Sequence, residues 1–221
     1  YDFSLPGVSS ISADTHKYGC CPKGSSVLLF RDKKMFESTY FIQSDWMGGI
    51  YATTNITGSR SGLSIAWTWS ILNKMGFDKF VENATMITSN IAILKDAFKN
   101  DSDIFIFGNP NVCVVGFGSN TINIYRISHA MKKKGWNLNE LQNPPSFHLC
   151  ITNRHTPEII DKFINDIRSI INSIVNKSQQ NEPEHDISNS DGGSIYGTTQ
   201  KVPDQGIIDS VVKIYLNSIH T

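Results

Sequence analysis

Hydrophobic and polar positions follow short-period patterns in the first third of the chain. Residues 9–14 alternate apolar and polar side chains, which predicts a strand, and residues 25–30 form an apolar run typical of a buried strand. A loop that contains Gly and Pro, residues 17–24, joins the two. Residues 43–62 then form a polar, Gly-rich stretch of twenty residues. We interpret it as a functional loop, because idle loops of that length are uncommon in compact domains.

Helical periodicity begins at Leu63. Apolar residues at helical spacing predict one helix that ends at Gly76 and a second helix that Asp78 caps. The predicted core positions of these two helices are Leu63, Ala66, Trp67, Ile71, Leu72, Val81, Ala84, Ile87, Ile91, Leu94 and Phe98. Further strands are predicted over residues 104–107, 112–117 and 147–152, and further helices over residues 125–134, from Thr156 onwards and over residues 206–218.

The order of these elements predicts an α/β arrangement early in the chain, followed by a smaller α+β layer. Residues 177–193 are polar and show no periodicity, so we interpret them as a linker or a surface loop. With 221 residues, the chain is long enough for one or two domains with a sizeable core.

Composition narrows the possible functions. Lys plus Arg equals Asp plus Glu, at 20 each, and this zero net charge argues against nucleic acid as a main partner. No apolar run approaches the roughly 20 residues that a membrane-spanning helix needs, so we predict no span in this chain. The four cysteines fit a reducing compartment, and none of them has the spacing of a metal site. We therefore predict no metal ligands.

A His-Lys pair stands where the first predicted strand ends. Strand ends are where α/β folds place reactive groups, and a lysine that is partly desolvated there loses hydration that favours its ammonium form. We expect the pKa of Lys17 to fall for this reason, so that the neutral amine can attack a carbonyl carbon. Judged from His16 and Lys17 alone, an exposed lysine beside a loop histidine is the commoner situation.

Several blocks of sequence around and after this pair resemble one enzyme family. The blocks are SADTHKYGCCPKGSS (12–26), DWMGGIYATTNITGSR (45–60), FGNP (107–110), KGWNLN (134–139), PPSFHLC (144–150) and IYG (195–197). In this order they closely resemble the C-terminal half of the sphingosine-1-phosphate lyases, relatives of the group II decarboxylases that use pyridoxal 5'-phosphate (PLP). The resemblance implies the aspartate-aminotransferase-like fold, called fold-type I. Residues 1–76 would end the PLP-binding large domain, and residues 77–221 would form the small domain.

The resemblance also implies roles for single residues. Lys17 is expected to bind the cofactor covalently, and His16 to lie near the cofactor phosphate. Lys23 matches a lysine near the substrate phosphate. The other implied site residues are Gly48, Gly49, Tyr51, Ser59 and Arg60, in a loop that reaches the neighbouring subunit's cofactor, and Tyr196 in the IYG block. Turn geometry and packing explain the five loop residues nearly as well as ligand contact does.

The implied reaction cleaves a phosphorylated sphingoid base, such as sphingosine 1-phosphate, to a fatty aldehyde and ethanolamine phosphate. Family members are homodimers with shared active sites, and an N-terminal helix anchors them in the endoplasmic reticulum membrane with the catalytic part in the cytosol. We accordingly expect a cytosolic position for this chain. An amino-acid decarboxylase of the same fold is an alternative, although Lys23 argues against it.

Two groups that the resemblance implies have no counterpart in this sequence. PLP enzymes of this fold place an aspartate on the pyridinium nitrogen, upstream of the lysine, and a histidine on the cofactor ring. Asp2 and Asp14 are the aspartates that precede Lys17, and neither has the expected context. We therefore interpret the chain as a fragment of a PLP-dependent lyase and expect little or no lyase activity if it is the complete chain. A non-catalytic fragment that lacks the pyridinium aspartate is the alternative to the enzyme.

Overall fold

The computed structural model describes residues 2–179 and 205–219. The chain divides into two compact units, Tyr1–Glu82 and Asn83–Thr221. The predicted boundary lies after Gly76, where the backbone (φ 69°, ψ 171°) breaks the regular geometry of a long helix. The assignment of the two parts to a large and a small domain stays a prediction.

The first unit contains two small antiparallel sheets of two strands each. One pairs β1 (Ser10–Ala13) with β2 (Val27–Phe30), and the other pairs β3 (Phe41–Gln43) with β4 (Tyr51–Thr53). A short helix, α1 (Lys33–Glu37), lies between the sheets in sequence and begins where the Asp32 carboxylate accepts a hydrogen bond from the Met35 amide. The helix α2 (Gly62–Phe98) starts in this unit.

Three sequence predictions need correction in the first unit. The strand at residues 25–30 exists as β2, but its Leu28 and Leu29 side chains are exposed. Residues 43–62 are not one loop, because β4 pairs with β3 in the middle of that stretch. Several predicted core positions of α2 are also exposed, namely Leu63, Ala66, Trp67, Leu72 and Val81. These side chains have apolar periodicity, but the described residues of this unit form no layer that covers them.

The second unit is an α+β layer, as predicted. Its sheet has four antiparallel strands in the order β5-β6-β8-β7. The strands are β5 (Phe105–Ile106), β6 (Val114–Gly118), β7 (Asn139–Leu141) and β8 (Ser146–Cys150). The helices are the second part of α2, α3 (Ile124–Lys133), α4 (Pro157–Gln179) and α5 (Gln205–Ile219). The sequence pattern missed β7, which is three residues long.

The core of the second unit lies between its sheet and its helices. The predicted inward positions Ile87, Ile91, Leu94 and Phe98 of α2 are buried there, as is Phe117 of β6. The Phe117 ring packs against the rings of Phe98, Phe147 and Phe163 at centroid distances of 5.6, 5.3 and 5.7 Å. The predicted helical spacing is therefore confirmed in this half of α2.

A polar cluster ties the end of α3 to α4. Lys134 lies 2.7 Å from Oδ1 of Asp166, and the Trp136 indole donates a hydrogen bond of 2.9 Å to Oδ2. These bonds hold the pKa of Asp166 down, at about 2. Trp136 also packs edge-on against Phe163 at 5.0 Å. The KGW part of the KGWNLN block is thus explained by packing between two helices.

Two predictions concern the C-terminal segment. The predicted linker at 177–193 begins too early, because α4 continues to Gln179, and its remainder lies outside the described residues. The last predicted helix is confirmed as α5, whose described apolar side chains are mostly exposed. Over the described part of the chain, every helix is too short or too polar to cross a lipid bilayer.

Candidate functional site

The loop between β1 and β2 carries the predicted catalytic lysine. The Lys17 amide donates a hydrogen bond of 3.3 Å to the Asp14 carbonyl, and the Cys20 amide donates one of 3.1 Å to the Lys17 carbonyl. A third bond of 3.0 Å, from the Cys21 amide to the Thr15 carbonyl, closes the loop. Lys17 therefore lies four residues after the end of β1, in the loop that the sequence predicts, in a turn held by backbone hydrogen bonds.

Gly19 is required by the tightness of this turn. A Cβ atom at this position would lie 2.6 Å from the Thr15 carbonyl oxygen, which is closer than real side chains approach a backbone atom. The loop therefore keeps its shape only with glycine here. The block SADTHKYG thus encodes backbone geometry as well as a reactive amine.

The electrostatic environment of Lys17 differs from the expectation. The side chain is 65% exposed, and its Nζ lies 2.7 Å from Oδ2 of Asp14. The hydrogen bond and charge of that carboxylate raise the pKa of Lys17, and they lower the pKa of Asp14 in turn. The predicted fall in the Lys17 pKa is wrong for this structure, because the desolvation that would cause it is outweighed by the neighbouring carboxylate.

Three hydroxyl groups anchor the loop to α2, and sequence reasoning missed them. Thr15 Oγ1 lies 2.8 Å from Ser25 Oγ and donates to the Ser25 carbonyl at 3.1 Å. Ser25 Oγ lies 2.8 Å from Thr68 Oγ1. Thr15 and Thr68 are 7% and 9% exposed and are the buried polar residues of the first unit's described part. Three hydroxyl residues on an otherwise apolar stretch of α2, Ser64, Thr68 and Ser70, were the available signal.

The structure shows where the other predicted site residues of this loop lie, but it does not test their predicted roles. His16 is half-buried beside Lys17, and Lys23 is exposed near the other end of the loop. His16 and Lys23 share one 13-residue connection, residues 14–26, between paired strands. Their predicted roles at a cofactor phosphate and a substrate phosphate stay predictions.

The predicted glycine loop is the tip of the β3–β4 hairpin, in a sheet separate from β1–β2. Gly49 has φ of +106°, and its amide donates a hydrogen bond of 2.9 Å to the Trp46 carbonyl. A Cβ atom on Gly48 would lie 2.4 Å from the Trp46 ring. Trp46 also packs edge-on against Tyr51 at 6.3 Å. Turn geometry explains both glycines, and ligand contact by this tip stays a prediction.

The other predicted residues lie apart from the Lys17 loop in sequence. Ser59 and Arg60 are exposed in the turn that precedes α2. Tyr196 lies outside the described residues.

The donor set around Lys17 fits one end of a PLP molecule. A primary amine at a strand end suits the cofactor aldehyde, and His16 beside it can donate to a phosphate. The carboxylate that this loop offers, Asp14, is held by Lys17 itself and does not suit the pyridinium nitrogen. The described residues therefore fit the aldehyde and phosphate side of the cofactor, and the ring nitrogen needs a partner from elsewhere.

The amino-acid sequence of the chain is similar to those of curated sphingosine-1-phosphate lyases. The chain is 39% identical over 221 residues to the sphingosine-1-phosphate lyase of Drosophila melanogaster and 39% identical over 222 residues to sphingosine-1-phosphate lyase 1 of Mus musculus. Each match covers 100% of this chain but only 39% and 38% of those relatives. No protein-family model matches the chain.

Solved structures agree with these relatives. A sphingosine-1-phosphate lyase from Burkholderia pseudomallei superposes with a TM-score of 0.70 at 36% identity, covering 78% of this chain and 39% of that one. A glutamate decarboxylase from Lactobacillus brevis superposes with a TM-score of 0.61 at 20% identity, over 78% of this chain and 42% of that one. The predicted fold class, that of the fold-type I PLP-dependent enzymes, is confirmed. Within that class, the chain is homologous over its whole length to part of the sphingosine-1-phosphate lyases.

Proposed function

We propose that the full-length protein is a PLP-dependent carbon–carbon lyase. It cleaves phosphorylated sphingoid bases, such as sphingosine 1-phosphate, to a fatty aldehyde and ethanolamine phosphate in sphingolipid degradation. The observation that carries the proposal is the position of Lys17 in a closed turn at the end of β1, in a chain 39% identical to a sphingosine-1-phosphate lyase over its whole length.

Lys17 is the group that holds the cofactor and moves protons at its nitrogen. Its Nζ must first lose the proton that Asp14 stabilises, because only the neutral amine is a nucleophile. Asp14, 2.7 Å away, is placed to stabilise the charged form whenever the amine regains a proton. Lys17 and Asp14 together therefore form a proton-handling pair, which suits an amine that is alternately covalently bound and free.

The cofactor supplies one property that no side chain of this chain has, a conjugated cationic ring that takes up the electrons of the broken carbon–carbon bond. His16 contributes a hydrogen-bond donor towards the cofactor phosphate. Lys23 contributes a mobile point charge for the phosphate of the substrate, which needs no bidentate geometry. An amino-acid substrate has no such phosphate, so Lys23 favours the lyase over the decarboxylase.

Homodimers with shared active sites form part of the proposal. The hairpin tip exposes Trp46, Met47 and Ile50, and large exposed apolar side chains at a loop tip are typical of a protein contact. Gly48, Gly49, Tyr51, Ser59 and Arg60 would then approach the neighbouring subunit's cofactor. Tyr196 would approach the active site from the small domain. The proposed location is the endoplasmic reticulum membrane for the full-length protein, with this part in the cytosol.

Product analysis of the full-length protein tests the reaction. We expect fatty aldehyde from sphingosine 1-phosphate, and Lys17→Ala should lower the turnover by at least about 1,000-fold, as loss of a covalent catalyst does. Lys33→Ala is the matched control, because Lys33 is also an exposed lysine in an ion pair, with Glu37. It should leave turnover unchanged.

Two results would contradict the proposal. Undiminished aldehyde release by Lys17→Ala would exclude Lys17 as the cofactor lysine. Release of carbon dioxide from amino acids, with no aldehyde from the phosphorylated base, would favour the decarboxylase instead.

A further inference from the structure

We propose that Thr68 is a positioning residue for Lys17, acting from α2 through Ser25 and Thr15. The inference rests on the proposed function, since it concerns the placement of the amine that binds PLP. It assigns a role to a hydroxyl that lies 51 positions after the lysine in the sequence and is hydrogen-bonded to Ser25. The link consists of three hydroxyl groups and one carbonyl.

Proton counting gives the link a direction. Each hydroxyl has one proton to donate. Thr15 gives its proton to the Ser25 carbonyl, at 3.1 Å. The 2.8 Å contact between the Thr15 and Ser25 hydroxyls must then use the Ser25 proton, and the 2.8 Å contact between Ser25 and Thr68 must use the proton of Thr68. Thr68 is therefore the first donor, and each later hydroxyl depends on the one before it.

The Thr15 end of the link sets the loop. Its side chain is fixed to Ser25, while its carbonyl accepts the Cys21 amide at 3.0 Å and closes the turn around His16 and Lys17. Gly19 leaves no free space against that carbonyl, so the turn cannot tighten to compensate for a shift of Thr15. A displacement of Thr15 therefore moves the backbone of the lysine directly.

Burial makes the link stronger than an ordinary surface contact. Thr15 and Thr68 are nearly inaccessible to water, so an exchange of their hydrogen bonds for water is unfavourable. The lysine side chain, by contrast, is mostly exposed and is paired with the exposed carboxylate of Asp14. The hydroxyl link is thus the buried contact that joins the turn around Lys17 to α2.

The covalent step that depends on this placement is simple. The neutral Lys17 nitrogen attacks the aldehyde carbon of PLP, a C=N bond forms, and the aldehyde oxygen leaves as water with the two amine protons. No oxidant or reductant takes part. The rate of this step depends on where the nitrogen stands, because a small misplacement of a reacting group is costly.

Two variants of the full-length protein distinguish the contribution of the Thr68 hydroxyl from that of its methyl group: Thr68→Val and Thr68→Ser. Valine keeps the shape and removes the donor, whereas serine keeps the donor. We expect Thr68→Val to slow covalent attachment of PLP to Lys17 about tenfold, the effect of one lost buried hydrogen bond, and Thr68→Ser to restore most of the rate. Thr88→Val is the matched control, since the Thr88 hydroxyl bonds only within α2, to the Ala84 and Thr85 carbonyls.

A second measurement uses cofactor-free protein. Hydrogen exchange at the Cys21 amide reports the bond that closes the turn, and Thr68→Val should speed this exchange about tenfold while Thr88→Val leaves it unchanged. Ser25→Ala should have the same effect, and the Thr68→Val/Ser25→Ala double variant should be no worse than either single variant, because all three changes break one link.

The outcomes distinguish the two proposals. If borohydride fixes PLP to Lys17 in the wild type, and Thr68→Val attaches PLP and exchanges the Cys21 amide at wild-type rates, the role of Thr68 is refuted and the lyase proposal stands. Additive effects of Thr68→Val and Ser25→Ala would also refute the link. If wild-type protein fixes PLP on another lysine, the proposed function itself fails.

Discussion

Residues 62–82 and residues 83–98 both belong to α2, which is broken at Gly76, and they have different surroundings. Along the second stretch, Ile91, Leu94 and Phe98 are almost completely buried in the core of the second unit. Along the first, Trp67, Trp69 and Phe77 are exposed. Among the apolar side chains that the structure describes in the first unit, Cys21 alone is buried.

The difference indicates which part of the chain supplies its own core. A helix that is apolar on most sides is normally buried, and strands with exposed leucines on both faces normally lie inside a larger sheet. The chain spans about two fifths of the curated relatives that it matches. The first unit thus exposes apolar side chains of the kind that normally lie inside a protein, whereas the second unit has a core of its own.

Phe117→Ala tests the core of the second unit and has the largest expected effect. The ring is fully buried among three other aromatic rings, so its removal should lower the free energy of unfolding of the 221-residue chain by about 3 to 5 kcal/mol. Leu28→Ala in the first unit removes an exposed side chain and should cost less than about 1 kcal/mol. Denaturant titration measures both. Equal losses would contradict the contrast between the units.

Asp166→Asn tests the ion pair of the second unit. The pKa of Asp166 is lowered from 3.8 to about 2, so its charge stabilises the fold above pH 3.8, and this contribution is lost as the pH falls towards 2. At pH 7, we expect the free energy of unfolding of the variant to be about 1 to 2 kcal/mol lower than that of the wild type. The deficit should shrink when the titration is repeated below pH 3. A deficit independent of pH would mean that packing, and not charge, is responsible.

Asp14→Asn tests the corresponding lysine–carboxylate pair of the first unit, which is exposed. Surface pairs contribute little to stability, so the free energy of unfolding should hardly change. The carboxylate raises the pKa of Lys17, and its removal should lower that pKa and increase the neutral fraction at any given pH. In the full-length protein, the rate of covalent PLP attachment should then begin to rise at a lower pH. An unchanged pH profile would show that Asp14 does not control the amine.

The two ion pairs, Asp166 with Lys134 and Asp14 with Lys17, differ in burial and in expected role. Asp166 is 16% exposed and contributes to folding, whereas the pair of Asp14 with Lys17 lies in solvent and affects proton affinity. If Asp14→Asn were the more destabilising of the two variants, the assignment of structural and chemical roles to the two units would be reversed.

Sequence patterns predicted those elements whose side chains pack within their own unit. The spacing of Ile87, Ile91 and Leu94 predicted a buried helical face, because periodicity and burial agree where a core exists. The same reasoning failed for Trp67 and Leu72, which have the periodicity but no partner layer in the described residues. The strand end at Lys17 was also predicted, since alternation is a local signal.

Contacts between distant residues could not be predicted from the sequence. Thr68 lies 43 positions after Ser25, and no local pattern joins the two hydroxyls. Asp14 stands three positions before Lys17, but without a structure nothing shows that the two side chains meet at 2.7 Å instead of facing apart. The hairpin β3–β4 was missed because its strands are three residues each and carry no clear alternation.

Reductive trapping tests the central assignment most directly. The full-length protein is loaded with PLP, treated with borohydride and digested, and the modified peptide is located by mass spectrometry. We predict a single stable label on Lys17, within the turn that the Thr15 carbonyl and the Cys21 amide close. A label on Lys23 or on any other lysine, with Lys17 unmodified, would contradict the account.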